Sequence, residues 1–331
     1  MSSHSLGRIA HISALLIASF PGYAATAKDW QPGLSGDIAV MAGYSHTRSQ
    51  FDTDNNVTDS LDSQGQGRDS GIIFPLGTLK YTNQAGDKQV YMGSNQSDLI
   101  YGRFNLELGY KQRLQDNSVI TIAYAPGLIA SETWKDPFVT NVNREETDVN
   151  TKALRLIYDR ILGTNFSFEF ALREREIDNE ESGLANFTPD EQALLRRDSD
   201  IYYSQLSYLH RINQDLALRG ATSYTRTDAD GDAMSNDRYG ADITVIKNFE
   251  RSNLAVTLHY DYSEYDKANP VFGKKQEDSL LAAYLAYRYA EPFGWKQWSF
   301  LGIAGYGYSD SKINFYENEG TVITAGLSYH F

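Results

Sequence analysis

The chain has 331 residues, no cysteine and a formal net charge of −13. The missing cysteine excludes a disulfide framework, a thiolate metal site and a cysteine nucleophile, and the acidic balance argues against nucleic acid as a partner. A mean hydropathy of −0.47, with no apolar run of the ~20 residues a spanning helix needs, excludes a helical membrane protein.

Residues 1–27 hold one basic residue, Arg8, then an apolar run from Ile9 to Phe20, then Pro21-Gly22 and Ala25-Thr26-Ala27. A short basic region, an apolar stretch and a small-x-small site predict a cleaved signal peptide over 1–27. Cleavage falls after Ala27, with Ala24 or Ala25 as alternatives. Removing Arg8 takes the net charge from −13 to −14 for residues 28–331.

Period-2 alternation fills the rest of the chain. Segment 34–44 puts Leu34, Gly36, Ile38, Val40, Ala42 and Tyr44 on one face, and 100–110 does the same with Ile100, Gly102, Phe104, Leu106, Leu108 and Tyr110. Segments 166–175, 254–264 and 279–289 repeat the pattern with Phe166, Phe168, Phe170 and Leu172, with Leu254, Val256, Leu258, Tyr260 and Tyr262, and with Leu281, Ala283, Leu285, Tyr287 and Tyr289. Weaker runs lie at 77–83, 88–94, 118–126, 150–161, 200–211, 216–226, 237–248 and 296–309. With 320–331 that makes fourteen strands, or twelve if the 77–94 pair is a hairpin inside a loop. Runs of ~10 residues suit tilted strands that cross an apolar layer. The 23 tyrosines, 15 phenylalanines and 4 tryptophans fit aromatic belts at its two surfaces, although a secreted soluble β protein would also be rich in tyrosine.

The connections alternate. Gln84–Asp87, Gln112–Asn117, Leu162–Thr164, Ile212–Asp215, Phe249–Ser252 and Ala290–Trp295 are short, whereas 45–76, 127–149, 176–199, 227–236, 265–278 and 310–319 are mostly longer; only a tie around 95–99 is short on the second side. Short turns on one side and long loops on the other are the habit of a barrel inserted in one orientation.

The long connections are acidic, with Asp52, Asp54, Asp59, Asp62 and Asp69 in one and Glu174, Glu176, Asp178, Glu180 and Glu181 in another. Solvated surface loops are the default reading. The alternative is binding of divalent cations, which also link lipopolysaccharide phosphates. Asp228, Asp230 and Asp232 have the spacing of the first ligands of a calcium loop. However, Gly231 sits at position 4 and Tyr239 at position 12, which departs from that template. Segment 126–148 differs: it is less polar, broken by Pro126 and Pro137, and holds Trp134, Lys135, Asp136 and Phe138. An apolar, stiffened loop is expected either to fold into a barrel mouth and constrict it, or to pack on its neighbours or on lipid headgroups.

On these phases the inward positions carry Arg103, Arg113, Arg155, Arg173, Arg175, Arg219 and Arg288, with Glu107, Asp159, Glu169, Asp242 and Asp261. A barrel requires such placement, because arginine facing mid-bilayer lipid costs ~2–4 kcal/mol. The same residues fit a water-filled pore with a transverse field or an ion-pair network that fills a closed interior. His259, Asp261 and Ser263 share one face, the most triad-like arrangement in the chain. Residues two apart on a strand are ~6.6–7 Å apart, too far for direct hydrogen bonds, so a polar lumen stripe is the simpler reading.

The last strand alternates Ile323, Ala325, Leu327, Tyr329 and Phe331 against Thr324, Gly326, Ser328 and His330. It resembles the C-terminal signature of bacterial outer-membrane barrels. That resemblance implies a barrel-closing strand and marks Tyr329 and Phe331 as the signal read by the barrel-assembly machinery. Gly77-Thr-Leu-Lys-Tyr81, Val90-Tyr-Met-Gly-Ser94, Leu108-Gly-Tyr110 and Ser131-Glu-Thr-Trp-Lys-Asp-Pro-Phe138 resemble a family of Gram-negative outer-membrane proteins known only as a domain of unknown function. This implies a single barrel in the outer membrane and supplies no activity and no catalytic residues.

The expectation is therefore an all-β protein, a single antiparallel transmembrane β-barrel with short periplasmic turns and long acidic extracellular loops. A channel for small hydrophilic solutes, disfavouring anions at its mouth, is the leading functional expectation. A closed barrel with a lipid-hydrolase, surface-binding or structural role is the alternative. Expected partners are outer-membrane lipids and lipopolysaccharide, the assembly machinery and the solutes. No metal and no cofactor are expected.

Overall fold

The structure, a computed structural model, describes residues 30–94, 106–127 and 131–331. The expected signal segment, the 95–99 tie and Arg103 lie outside the described residues. The strands in chain order are β1 (Gly33–Arg48), β2 (Gly67–Thr82), β3 (Lys88–Gly93), β4 (Glu107–Arg113), β5 (Val119–Ala125), β6 (Ser131–Trp134), β7 (Glu146–Asp159) and β8 (Phe166–Ile177). They continue as β9 (Ser199–Arg211), β10 (Leu216–Ala229), β11 (Asn236–Asn248), β12 (Ser252–Asn269), β13 (Lys274–Ala290), β14 (Trp298–Ser311) and β15 (Asn318–His330).

Sequential neighbours other than β5 and β6 pair antiparallel, and two further pairings close the sheet on itself. β1 pairs β15 from Asp37↔His330 to Arg48↔Glu319, and β5 pairs β7 from Val119↔Asp159 to Ala125↔Ala153. β6 takes up the same edge of β7 higher along it, from Ser131↔Val149 to Trp134↔Glu146. β5 and β6 therefore act as one interrupted wall strand, and the wall is a closed fourteen-stranded barrel with this short addition. The 77–94 pair belongs to the wall, with Thr78↔Gly93 through Thr82↔Gln89 in register. Closure satisfies the edge N–H and C=O groups that a bilayer would leave unpaired.

Several strands run past the ends expected from the apolar pattern: β2 begins at Gly67, and β12 and β13 meet near Asn269 and Lys274. Outside the apolar layer the backbone ladder needs no apolar side chains, so polar residues such as Lys267 and Lys275 extend the strands without a hydrophobic signal. The turns at the other end are local. In one, the Asn83 side chain accepts from the Asp87 and Lys88 amides at 3.1 Å each. In another, Ser118 donors hold the Asp116 carboxyl below the usual carboxylate range.

Burial is inverted relative to a soluble protein. Leu108, Ile243, Leu258 and Leu281 are 57–62 % exposed around the outside, while the fully buried set includes Glu107, Thr244, Thr257 and His259. An apolar exterior around a polar interior defines a membrane-spanning barrel. At the turn end, Trp295, Trp298, Tyr329 and Phe331 form a chain of ring contacts 5.2–6.4 Å apart, as an interfacial belt would. Leu258→Arg should cost about 2–4 kcal/mol in reversible unfolding of the bilayer-inserted barrel. No measurable cost would remove the lipid-facing assignment.

Candidate functional site

A belt of ionisable side chains crosses the interior in two arcs. In the first, Arg155 on β7 donates from Nη1 to Glu107 on β4 at 2.7 Å and from Nε to Glu169 on β8 at 3.1 Å. The Tyr91 hydroxyl donates to the same Glu107 at 2.7 Å. The tyrosine lies across Gly109, where a Cβ would fall 2.3 Å from its ring. In the second arc, Arg219 on β10 donates to Gln205 on β9 at 3.0 Å, and Gln205 donates to Asp242 on β11 at 3.3 Å. His259 on β12 then sits between Asp242, 2.5 Å from Nδ1, and Asp261, 3.0 Å from Nε2. The second of these contacts is short in distance but out of line for a hydrogen bond. Gly240 leaves the space that Asp261 fills; a Cβ there would stand 2.3 Å from its Oδ1.

Glu107, Arg155, Glu169, Arg219, Asp242, His259 and Asp261 are only 2–4 % exposed. At this level side chains fill the barrel, in the manner of the ion-pair network weighed from sequence. Buried ions are costly unless each has a partner, and here six of the seven form two acid–base–acid units, Glu107–Arg155–Glu169 and Asp242–His259–Asp261, while Arg219 is linked to Asp242 through Gln205. The arrangement does not make a hydrolytic triad. Both ring nitrogens of His259 face carboxylates, and the Ser263 hydroxyl accepts from Arg238 at 2.9 Å.

The other inward candidates lie above or below this belt. Arg173 stands 5.7 Å from the Tyr203 ring, and Asp159 lies within electrostatic reach of Lys111 and Glu169. Arg113 covers the Trp30 ring at 4.5 Å, and Arg288 donates to Ser299 at 3.1 Å beside His330; both belong to the turn end. Tyr91 and Gln205 were missed from sequence because neutral residues carry no charge signal, although both occupy inward phases.

The loop end is capped. Phe51, Phe138, Phe272, Phe315 and Tyr316, from four different connections, make ring contacts of 5.2–6.1 Å and pack with Leu195, Met234 and Ile313. Segment 126–148 is thus not one loop. Ser131–Trp134 is wall strand, and the loop proper starts where the Lys135 amide bonds the Glu145 carbonyl at 2.8 Å. Trp134 is fully buried, with its indole N–H on the Gln50 carbonyl at 2.9 Å. Arg144 stacks over it at 4.3 Å and donates to the carbonyls of Gln50 and Asn55, and burial lowers its pKa to about 10. Asp136 accepts from the Phe138 amide at 3.0 Å, and Lys135 holds the exposed Glu145 below its ordinary range. Asp228 lies 3.6 Å from Arg226, and no cluster of three or more His, Asp or Glu able to hold a metal occurs among the described residues. The terminal pair sits at the seam: Phe331 exchanges backbone hydrogen bonds with Gly36 at 2.9 and 3.0 Å.

These features define a transmembrane β-barrel with a charged interior and a loop cap. The chain belongs to the family described as "Protein of unknown function (DUF2860)", which matches residues 33–330. No curated protein matches it. Among solved structures it is similar to the outer membrane channel DcaP of Acinetobacter baumannii, with 11 % identity over 94 % of this chain and 100 % of that one, TM-score 0.41. It is also similar to OprD of Pseudomonas aeruginosa, with 8 % identity over 94 % and 100 %, TM-score 0.41, and to OpdQ of the same organism, with 9 % over 90 % and 97 %, TM-score 0.37. At such TM-scores the likeness carries no argument about activity, which has to come from the site itself.

Arg155→Met strands two buried carboxylates and should destabilise the refolded barrel by about 3–5 kcal/mol in urea unfolding. Adding Glu107→Gln and Glu169→Gln should restore most of that loss. Equal stability of the single and triple variants would show that the three residues do not act as a unit.

Proposed function

We propose that the protein is a channel of the Gram-negative outer membrane for small hydrophilic solutes, closed in the conformation described by the charged belt and the loop cap. The observation that carries this reading is the belt itself. Seven ionisable side chains are buried at one level of a barrel whose wall would be as well filled by neutral residues, since replacing buried ion pairs by neutral packing is often stabilising. Inward charges that can separate give a solute path its field and its selectivity. The acidic loops favour cations at the mouth.

In this proposal, residues 1–27 direct export, Tyr329 and Phe331 engage the barrel-assembly machinery, and the acidic loops meet lipopolysaccharide and its divalent cations. A second reading, a permanently closed barrel with a structural or surface-binding role, is favoured by the near-zero exposure of the belt. Hydrolysis is disfavoured because both ring nitrogens of His259 face carboxylates and no hydroxyl among the described residues bonds to it.

Single-channel recording of the refolded protein separates the two readings. Steps of stable size, with a reversal potential showing cation preference in a salt gradient, are expected; silence from a folded barrel would remove the channel. Shortening the loop within 136–143, which leaves the wall strand Ser131–Trp134 intact, should raise conductance or open time. Unchanged currents would exclude this loop as the constriction.

A further inference from the structure

Between the belt and the cap lies a layer used by neither. Arg175 on β8, Arg238 on β11, Tyr265 on β12 and Asp278 on β13 occupy inward phases above Glu169, Asp242, Asp261 and Ala282. The belt is sealed from solvent, but these four side chains keep part of their surface accessible although Arg175, Tyr265 and Asp278 lie deep in the protein. Deep residues that still touch solvent line an internal space.

The partners in this layer are uneven. Arg197 is paired with Glu180 at 2.9 Å. Arg175 places Nε and Nη2 on one acceptor, the Arg197 carbonyl, at 3.2 and 2.7 Å. Arg238 uses only Nε, on the Ser263 hydroxyl at 2.9 Å. No carboxylate among the described residues pairs with either Arg175 or Arg238, so the two terminal amino groups of Arg238 form an open fork, and Arg175 keeps Nη1. Tyr265 lies within electrostatic reach of both. The nearby carboxylates make no direct bond to either fork: Asp278 accepts from Gln276 at 2.8 Å and lies within electrostatic reach of Arg238, and Asp198 accepts from the Ile177 amide at 2.7 Å within electrostatic reach of Arg175.

We infer that this layer is a solute subsite for a carboxylate, held by the open fork of Arg238 and seconded by Arg175. A planar carboxylate matches a guanidinium fork with two parallel hydrogen bonds. Asp198 lies within electrostatic reach of Arg175 and Asp278 within that of Arg238, so a second negative charge on the ligand is opposed more strongly than the first. The acidic loops do not oppose this. Their field is screened within ~8 Å at physiological ionic strength, whereas enclosed pairs are screened far less. The inference deepens the channel reading, on which it rests for the arrival of the solute, and its test does not depend on current.

The test is calorimetric titration of the folded, detergent-solubilised full chain with benzoate and with its neutral isostere benzamide. Benzoate should bind at least about tenfold more tightly than benzamide, the loss expected when a charge-assisted pair is removed. Arg238→Gln should lower benzoate affinity by about tenfold or more, and Arg175→Gln by a smaller factor. If Arg238→Gln does not fold, Arg238→Lys replaces it: that variant keeps the charge, loses the fork and should bind several-fold less tightly. Equal binding of benzoate and benzamide would place the ligand on the aromatic cap and overturn the subsite. So would a folded wild-type barrel that ignores benzoate, or arginine variants that bind it unchanged. A silent barrel that binds benzoate would defeat the channel and leave the subsite standing; a conducting barrel that does not bind it would do the reverse.

Discussion

Everything in this molecule follows from one constraint: a backbone placed in lipid must find all its hydrogen bonds within itself. Fourteen strands meet it by pairing β1 with β15 and β5 with β7, which leaves only the outer side of the short β6 unpaired among the described residues. Once the sheet is closed, alternation has a fixed meaning. One phase of every strand faces lipid and carries leucine, isoleucine, valine and aromatic residues. The other faces inward and is the only place for charge within the membrane. The arginines and carboxylates of the interior are therefore first a consequence of closure and only second a device.

How they are used depends on packing. Fourteen strands enclose more room than small side chains fill, and here long ionic side chains take up the middle. Gly109 and Gly240 matter for this reason: each lets a large or charged neighbour, Tyr91 or Asp261, lie flat against the wall where a Cβ would displace it. The resulting belt is dense and paired. Above it the side chains keep part of their surface accessible, Arg175 and Arg238 donate to neutral oxygens, and the loops close over with an aromatic cluster. The barrel thus has three levels of different chemistry stacked along one axis.

The loop cap shows how far a local sequence can mislead. Trp134 and Phe138 read as parts of one apolar loop, yet they end in different settings. Trp134 terminates a wall strand under Arg144, and Phe138 packs against rings from two other connections. Register with β7 decides that division, and register is a property of two strands and not of one.

The sequence by itself determined the fold class and the fourteen-strand pattern, with twelve left as an alternative, because alternation and turn chemistry are local and a barrel repeats them. It could not place strand ends such as those of β2, β12 and β13, since the hydrogen-bond ladder continues through polar residues that leave no apolar trace. Nor could it say that Arg155 joins Glu107 to Glu169, that Asp242 and Asp261 flank His259, or that Arg238 keeps its fork open. Glu107 and Arg155 are 48 residues apart, and their meeting depends on strand tilt, register and the closure of the sheet. Which residues face inward is written along each strand; which of them touch is decided only when the strands are wound into one barrel.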